Sequence, residues 1–285
     1  MKSLVLRNLK VFFRDRASVF FSLLSVLIIL ALYVLFLGDV WTSNLPKVIG
    51  AKALTDSWIM AGLLAVMSVT TVMGAFGTMV DDRAHKIVKD FHASPIGKGR
   101  IAGGYVLSSF AVGAIMTLIA LALSQAYIAL RGGALLPVSK MVEVVGLILL
   151  SALSNTAMIS LLISFFKSQN AFGTAASILG TLIGFLTGIY MPIGMLPEAV
   201  QWFIKIFPVS HAALLIRRVM TEAPLEKVFR GAPAAAAQGF REAMGIDFRF
   251  GGRILPGYVS VLILAGAALL FYALSILRFS RKGRS

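Results

Sequence analysis

Six long apolar runs constrain this chain more than any other feature, because only a bilayer can receive so many of them at once. A membrane-crossing helix needs about 20 predominantly apolar residues. The stretches 17–37, 57–80, 101–130, 141–166, 172–191 and 255–277 all qualify. Composition agrees: 58% of the 285 residues are hydrophobic and 14% charged, against about 25% charged in an ordinary globular domain. The sequence therefore predicts an all-α integral membrane protein with six transmembrane helices, forming a single transmembrane domain over 1–285. The first run exceeds the length of a signal-peptide core, and Gly38-Asp39-Val40-Trp41 offers no small-residue cleavage pattern, so it is expected to stay attached as an anchor.

The surplus of 27 Lys and Arg over 12 Asp and Glu could point to nucleic acid, so the position of the cations decides. Lys2, Arg7, Lys10, Arg14 and Arg16 precede the first run, and Arg83, Lys86, Lys89, Lys98 and Arg100 lie between the second and third. Lys167 follows the fourth, and Arg278, Arg281, Lys282 and Arg284 lie at or beyond the end of the sixth. The opposing short loops hold only Lys47, Lys52, Arg131 and Lys140. Short loops rich in Lys and Arg stay in the cytoplasm. Both termini are thus predicted inside a plasma membrane of bacterial type, and no nucleic-acid partner is needed.

The predicted spans carry no Asp, Glu, Lys or Arg deep within them, Glu143 lying near an outer end. Intramembrane ions cost about 2.5–3.5 kcal/mol on insertion scales and mark ion or proton pathways. Their absence argues against a proton- or sodium-coupled carrier. Gln125 and Asn155 are expected to make interhelical hydrogen bonds. The chain has no cysteine, hence no disulfide or thiol chemistry. His85, His92 and His211 lack metal-ligand spacing, and no metal site is expected. Phosphate-loop, serine-elbow and zinc-protease motifs are also missing, so no catalytic residue is assigned and the chain is not expected to be an enzyme.

Four segments outside or within the runs carry further pattern. In 1–16, Val5, Leu6, Leu9, Phe12 and Phe13 share one helical face and Arg7, Lys10 and Arg14 the other, as in an interfacial helix on membrane lipids. In 81–92, Ala84, Ile87, Val88 and Phe91 form a helical stripe, with Asp81 and Asp82 placed at its start to favour the dipole. Ala176, Gly180, Gly184 and Gly188 recur at every fourth residue, a smooth strip for close helix approach. In the long segment 192–254, helical spacing covers Val200, Phe203, Ile204 and Phe207, and a short helix over about 210–220 is expected to end in Arg217 and Arg218. These pieces are predicted to dip into or lie along the outer leaflet, making 192–254 an extracellular re-entrant or loop segment. The stretch 224–252 reads as irregular, with a small hairpin where Ile246, Phe248 and Phe250 alternate ahead of Gly251-Gly252.

This order of parts resembles the type-2 family of ATP-binding-cassette (ABC) transporter permeases over essentially the whole chain. The most specific stretch is Met191-Pro192-Ile193-Gly194-Met195-Leu196-Pro197-Glu198 with Ile206-Phe207-Pro208-Val209-Ser210-His211, similar to the family's re-entrant pair marked here by Pro192, Pro197 and Pro208. Asp82-Arg83 through Ser94-Pro95 is similar to the segment after the second span, with Asp82 where Glu is usual and His85-Lys86 where Gly-Thr often sits. The resemblance implies that the segment 81–100, through Asp82, Arg83, His85, Lys86, Ile87 and Phe91, is a coupling helix against a separate ATP-binding cassette subunit, joined there by the N-terminal helix with Arg7, Lys10, Phe12, Phe13 and Arg14. ATP and magnesium would be bound by that subunit and no cofactor by this chain. A second permease chain, identical or a sister, would meet the strip Ala176–Gly180–Gly184–Gly188. The implied function is export of a drug, antibiotic peptide or lipid. Export of a lipid-linked glycan is the alternative within transport, and a non-transporting immunity or scaffold protein the alternative outside it.

Overall fold

The computed structural model describes residues 1–32, 50–166 and 168–281. The end of the first predicted span, Gly38–Trp41 of the cleavage argument, Lys47, Lys167, Lys282 and Arg284 lie outside the described residues, as does the His92 side chain.

One helix organises the rest. α1 (Lys2–Arg14) and α2 (Arg16–Leu32) precede α3 (Ala51–Ala84), whose 34 residues make it the longest helix among the described residues. At 1.5 Å per residue α3 is about 50 Å long, well beyond the ~30 Å hydrocarbon core of a bilayer. Its apolar window is 89% buried, whereas that of the last helix is 22% buried. A helix apolar all round must sit in the centre of the bundle, and α3 does. Around it pack α5 (Lys98–Leu130), α6 (Val138–Ile163), α7 (Gln169–Leu186) and α9 (Pro208–Val228), with α11 (Gly257–Arg281) outside against α6 and α9. α3 and α5 approach so closely that a Cβ on Gly113 would lie 2.3 Å from Val72 Cγ2; glycine is what lets Val72 nest there.

Helices α3, α5, α6 and α11 are each long and apolar enough to cross a membrane. α8 (Glu198–Ile206) and α9 qualify together as a broken span or re-entrant loop, bent by 88° at Phe207. Proline sets this bend: Pro208 opens α9, where its missing N–H costs nothing. Pro197 caps α8, and Pro192 precedes a single 3-10 turn at Ile193–Met195.

Several expectations need correcting. The run 172–191 is helical only to Leu186, and Gly188 takes φ +68° in the turn beyond it. The short helix expected over about 210–220 is a 21-residue helix reaching Val228, with Arg217 and Arg218 near its middle. Its Pro224 lies inside the helix, so proline did not mark its end. The stretch read as irregular contains α10 (Ala234–Ala243). The hairpin is present: β1 (Arg249–Phe250) pairs antiparallel with β2 (Arg253–Ile254) across Gly251-Gly252. Asp81 and Asp82 do not begin a helix. They close α3, and α4 (Ile87–Ala93) starts only after a break at His85–Lys86.

Polar side chains stitch the bundle at mid-height. Asn155 Nδ2 donates to Ser68 Oγ at 3.0 Å and to Ser151 Oγ at 3.3 Å, joining α6 to α3 as its interhelical role requires. Ser160 and Ser275 hydroxyls, 2.9 Å apart, join α6 to α11. Gln125 instead turns to the adjacent loop, its Oε1 accepting from the Leu136 N–H at 3.1 Å.

Candidate functional site

The two ends of α3 carry the charged clusters. At its C-terminal end, Asp82 is 3% exposed, a position an isolated carboxylate would not hold. Arg7 on α1 satisfies it with a two-pronged ion pair, Nη2 donating to Oδ1 at 2.9 Å and Nη1 to Oδ2. Tyr105 on α5 donates its hydroxyl to Oδ2 at 2.5 Å. Next to this pair, Asn8 Nδ2 donates to Ser108 Oγ at 3.2 Å, and Ser108 in turn donates to the Tyr105 carbonyl. Leu4 fills the niche of Gly104, where a Cβ would lie 2.6 Å from Leu4 Cδ2. The hydrogen bond from Arg7 to Asp82 raises the affinity of the Arg7 guanidinium for its proton, more than burial lowers it. One carboxylate thus clamps α1, α3 and α5 together.

α4 hangs beside this clamp. Lys86, at the joint, adopts φ +63°, the only non-glycine residue with positive φ among those described. That conformation costs an L-residue about 1–2 kcal/mol. His85 Nδ1 donates to the Asp81 carbonyl at 2.9 Å, and Ser94 Oγ donates to the Phe91 carbonyl at 2.6 Å, so both borders of α4 are tied. The Arg7 guanidinium lies 5.7 Å from the Phe91 ring centre. A groove of about 200 Å³ runs between α1, the end of α4 and the start of α5, lined by Met1, Leu4, Arg7, Phe91, Ile96 and Arg100 among others.

Measured against the predicted sites, the structure gathers some residues and separates others. Ile87 and Phe91 are half-buried on α4 and His85 and Lys86 are exposed, whereas Asp82 points inward to Arg7. On α1 the buried line is Asn8 and Phe12, with Leu4 and Leu9 half-buried, while Leu6 and Phe13 are exposed. The sequence face placed Arg7 with the solvated cations; one buried acid 75 residues away turns it inward. Lys10 and Arg14 remain exposed. The glycine strip does not form one face. Gly180 has open space at its Cβ position, but Gly184 is covered by the Tyr190 ring, 2.0 Å from where a Cβ would sit, and Gly188 lies beyond the helix. The exposed side of α7 is instead Ile178, Leu182 and Phe185, beside a shallow groove of about 180 Å³ between α3 and α7 that reaches Ala176 and Gly180.

The opposite end of the bundle holds a cluster that residue spacing did not reveal. Trp58 on α3 donates its indole N–H to the Met244 carbonyl at 2.7 Å. Asp247, 5% exposed, accepts from Arg218 Nε at 2.7 Å and from Arg241 Nε at 2.6 Å. Burial works against ionisation of Asp247, but the hydrogen bond from Arg241 and the charges of both arginines outweigh it and hold the carboxyl below its usual range. Arg218 also donates to the carbonyls of Ile246 and Leu255, fastening α9 to both sides of the hairpin. His211 Nε2 donates to the Lys205 carbonyl at 2.9 Å, and its Nδ1 lies 3.0 Å from the Ser260 hydroxyl. The one signal in the sequence was Asp247 alternating among apolar residues ahead of two glycines.

Comparison with known proteins places this architecture. The linearmycin resistance permease protein LnrN of Bacillus subtilis (strain 168) is 28% identical over 163 residues, covering 57% of this chain and 41% of that relative. The chain therefore spans under half the length of that relative. The family described as ABC-2 family transporter protein matches residues 51–277, from the start of α3 into α11. The chain belongs to the ABC-2 family of transporter proteins.

Proposed function

We propose that this chain is the membrane subunit of an ATP-driven exporter, moved by a separate ATP-binding cassette subunit docked on α4 and α1. The observation that carries the reading is the Asp82 clamp. It locks α1 to α3 and α5 beside the short helix α4, whose Phe91 ring lies against Arg7, so a push on α4 is passed through the clamp to the central helix. In this reading α2 and α7 supply the first and fifth of six crossings, and the α4 end and both termini face the cytoplasm. A second permease chain packs on the exposed side of α7. The relative's named role in resistance supports a drug or antibiotic peptide as the cargo, moving outward between the two permease chains.

Purification in mild detergent tests this: an ATP-binding subunit is expected to co-purify in a fixed ratio. Replacing Ile87 and Phe91 together with Asp is expected to abolish that association and cut ATP-driven transport at least about tenfold, with membrane insertion unchanged. Normal association and transport by the double variant would remove α4 from the coupling path.

A further inference from the structure

Arg217 stands on α9, one residue before the thoroughly paired Arg218, and its surroundings are the opposite. It is 0% exposed, and none of its three guanidinium nitrogens has a hydrogen-bond partner among the described residues. Its guanidinium carbon lies 4.3 Å from the Trp58 ring centre. Around it stand Gly62 on α3, Gly188 after α7 and Gly245 after α10. Cβ atoms there would lie 3.0 Å from Nη2, 3.5 Å from Nη1 and 3.4 Å from Nη1 respectively. The same positions at Gly188 and Gly245 are only 2.8 Å from Ile193 side-chain carbons, so a side chain at either glycine would collide with Ile193. Both glycines also hold positive φ, +68° and +63°, which other residues adopt only with strain.

A buried cation without a counter-charge destabilises the packing that encloses it. Cation–π stacking on Trp58 compensates only in part. We propose that Arg217 is a positioning residue of the transport cycle: it keeps the seam between α3, α9 and the α10–hairpin segment biased toward opening. Motion of α3 lifts Trp58 from the guanidinium, water reaches the cation, and the seam parts at the two left-handed glycines. Arg218, bonded to Asp247 and two carbonyls, keeps the hairpin on α9 throughout, so the opening is local to the Trp58 side.

The test uses the whole complex and rests on the proposed function only for its ATP-dependent arm. Arg217→Met keeps the bulk and removes the charge; it is expected to raise the melting temperature by about 4 °C and to lower transport about tenfold. Arg217→Lys is expected to restore transport. Because the chain has no cysteine, Ile193→Cys gives a single reporter of the seam. Its labelling by a water-soluble maleimide is expected to accelerate with ATP in the otherwise native complex and to stay slow in the Arg217→Met background. A melting temperature at or below the native value, including failure to assemble, would show the cation to be stabilising and overturn the proposal. ATP-accelerated labelling equal in both backgrounds would overturn it too. If the otherwise native complex itself ignored ATP, the proposed function would fail instead.

Discussion

Two arginines at opposite ends of the central helix show how differently one fold can treat a buried charge. Arg7 reaches Asp82 through a two-pronged ion pair that Tyr105 completes, and three helices meet on that single carboxylate. Arg217 is more deeply buried, yet it faces an indole and three glycines instead of a carboxylate. A satisfied buried pair resists displacement, since removing one partner strands the other. An unsatisfied one favours any movement that hydrates it. In the proposed cycle the α4 end transmits displacement as a rigid joint, and the Arg217–Trp58 seam at the other end yields to it.

The largest expected effect falls on the rigid joint. Asp82→Asn leaves Arg7 facing a neutral amide and is expected to destabilise the protein by about 3 kcal/mol, at the low end for buried pairs because the Arg7 side chain is 34% exposed. Thermal unfolding in detergent measures it. Adding Arg7→Gln should cost little more, because the two residues act as one unit; full additivity would mean that they do not.

At the other end, Asp247→Asn removes the acceptor shared by Arg218 and Arg241 and is expected to cost about 2 kcal/mol at neutral pH. The pH dependence has a definite sign. The carboxyl is held below its usual range in the folded protein, so its contribution is complete above the unfolded value near 3.9. It is lost as pH falls through the depressed folded value. Stability of the native protein and of Asp247→Asn should therefore converge as pH drops below about 4; a gap that widens on acidification would break the assignment.

Smaller changes sharpen the contrast. Trp58→Phe keeps a ring under Arg217 but deletes the bond to the Met244 carbonyl, with an expected loss of about 1 kcal/mol. Asn155→Ala, at mid-height and away from both clusters, should cost only about 0.6 kcal/mol, the usual worth of a hydrogen bond between membrane helices. An Asn155 effect as large as that of Asp82 would mean that the load is spread along α3 instead of carried at its end.

What could be read from the residues follows the physics of each signal. The cores of the long apolar helices were legible because their length against a bilayer is almost the whole message. Their ends were not. Asp81 and Asp82 look like the acidic start of a helix, but α3 simply continues through them, because Asp82 finds Arg7 and Tyr105. Arg217 and Arg218 look like a basic helix terminus; both are interior because one is clamped by Asp247 and the other stacked on Trp58, contacts made across 29 and more residues. The glycine strip had the right period but ran past the end of its helix, and Tyr190 folds back over Gly184. Charges whose partners lie far away in the chain are the features that periodicity leaves dark.

The most direct measurement is transport into vesicles by the complex assembled either with an active ATP-binding subunit or with one whose hydrolytic site is disabled. Cargo is expected to accumulate only with the active subunit. Uphill movement with the disabled subunit, or with this chain reconstituted alone, would contradict a membrane subunit driven through the Asp82 joint.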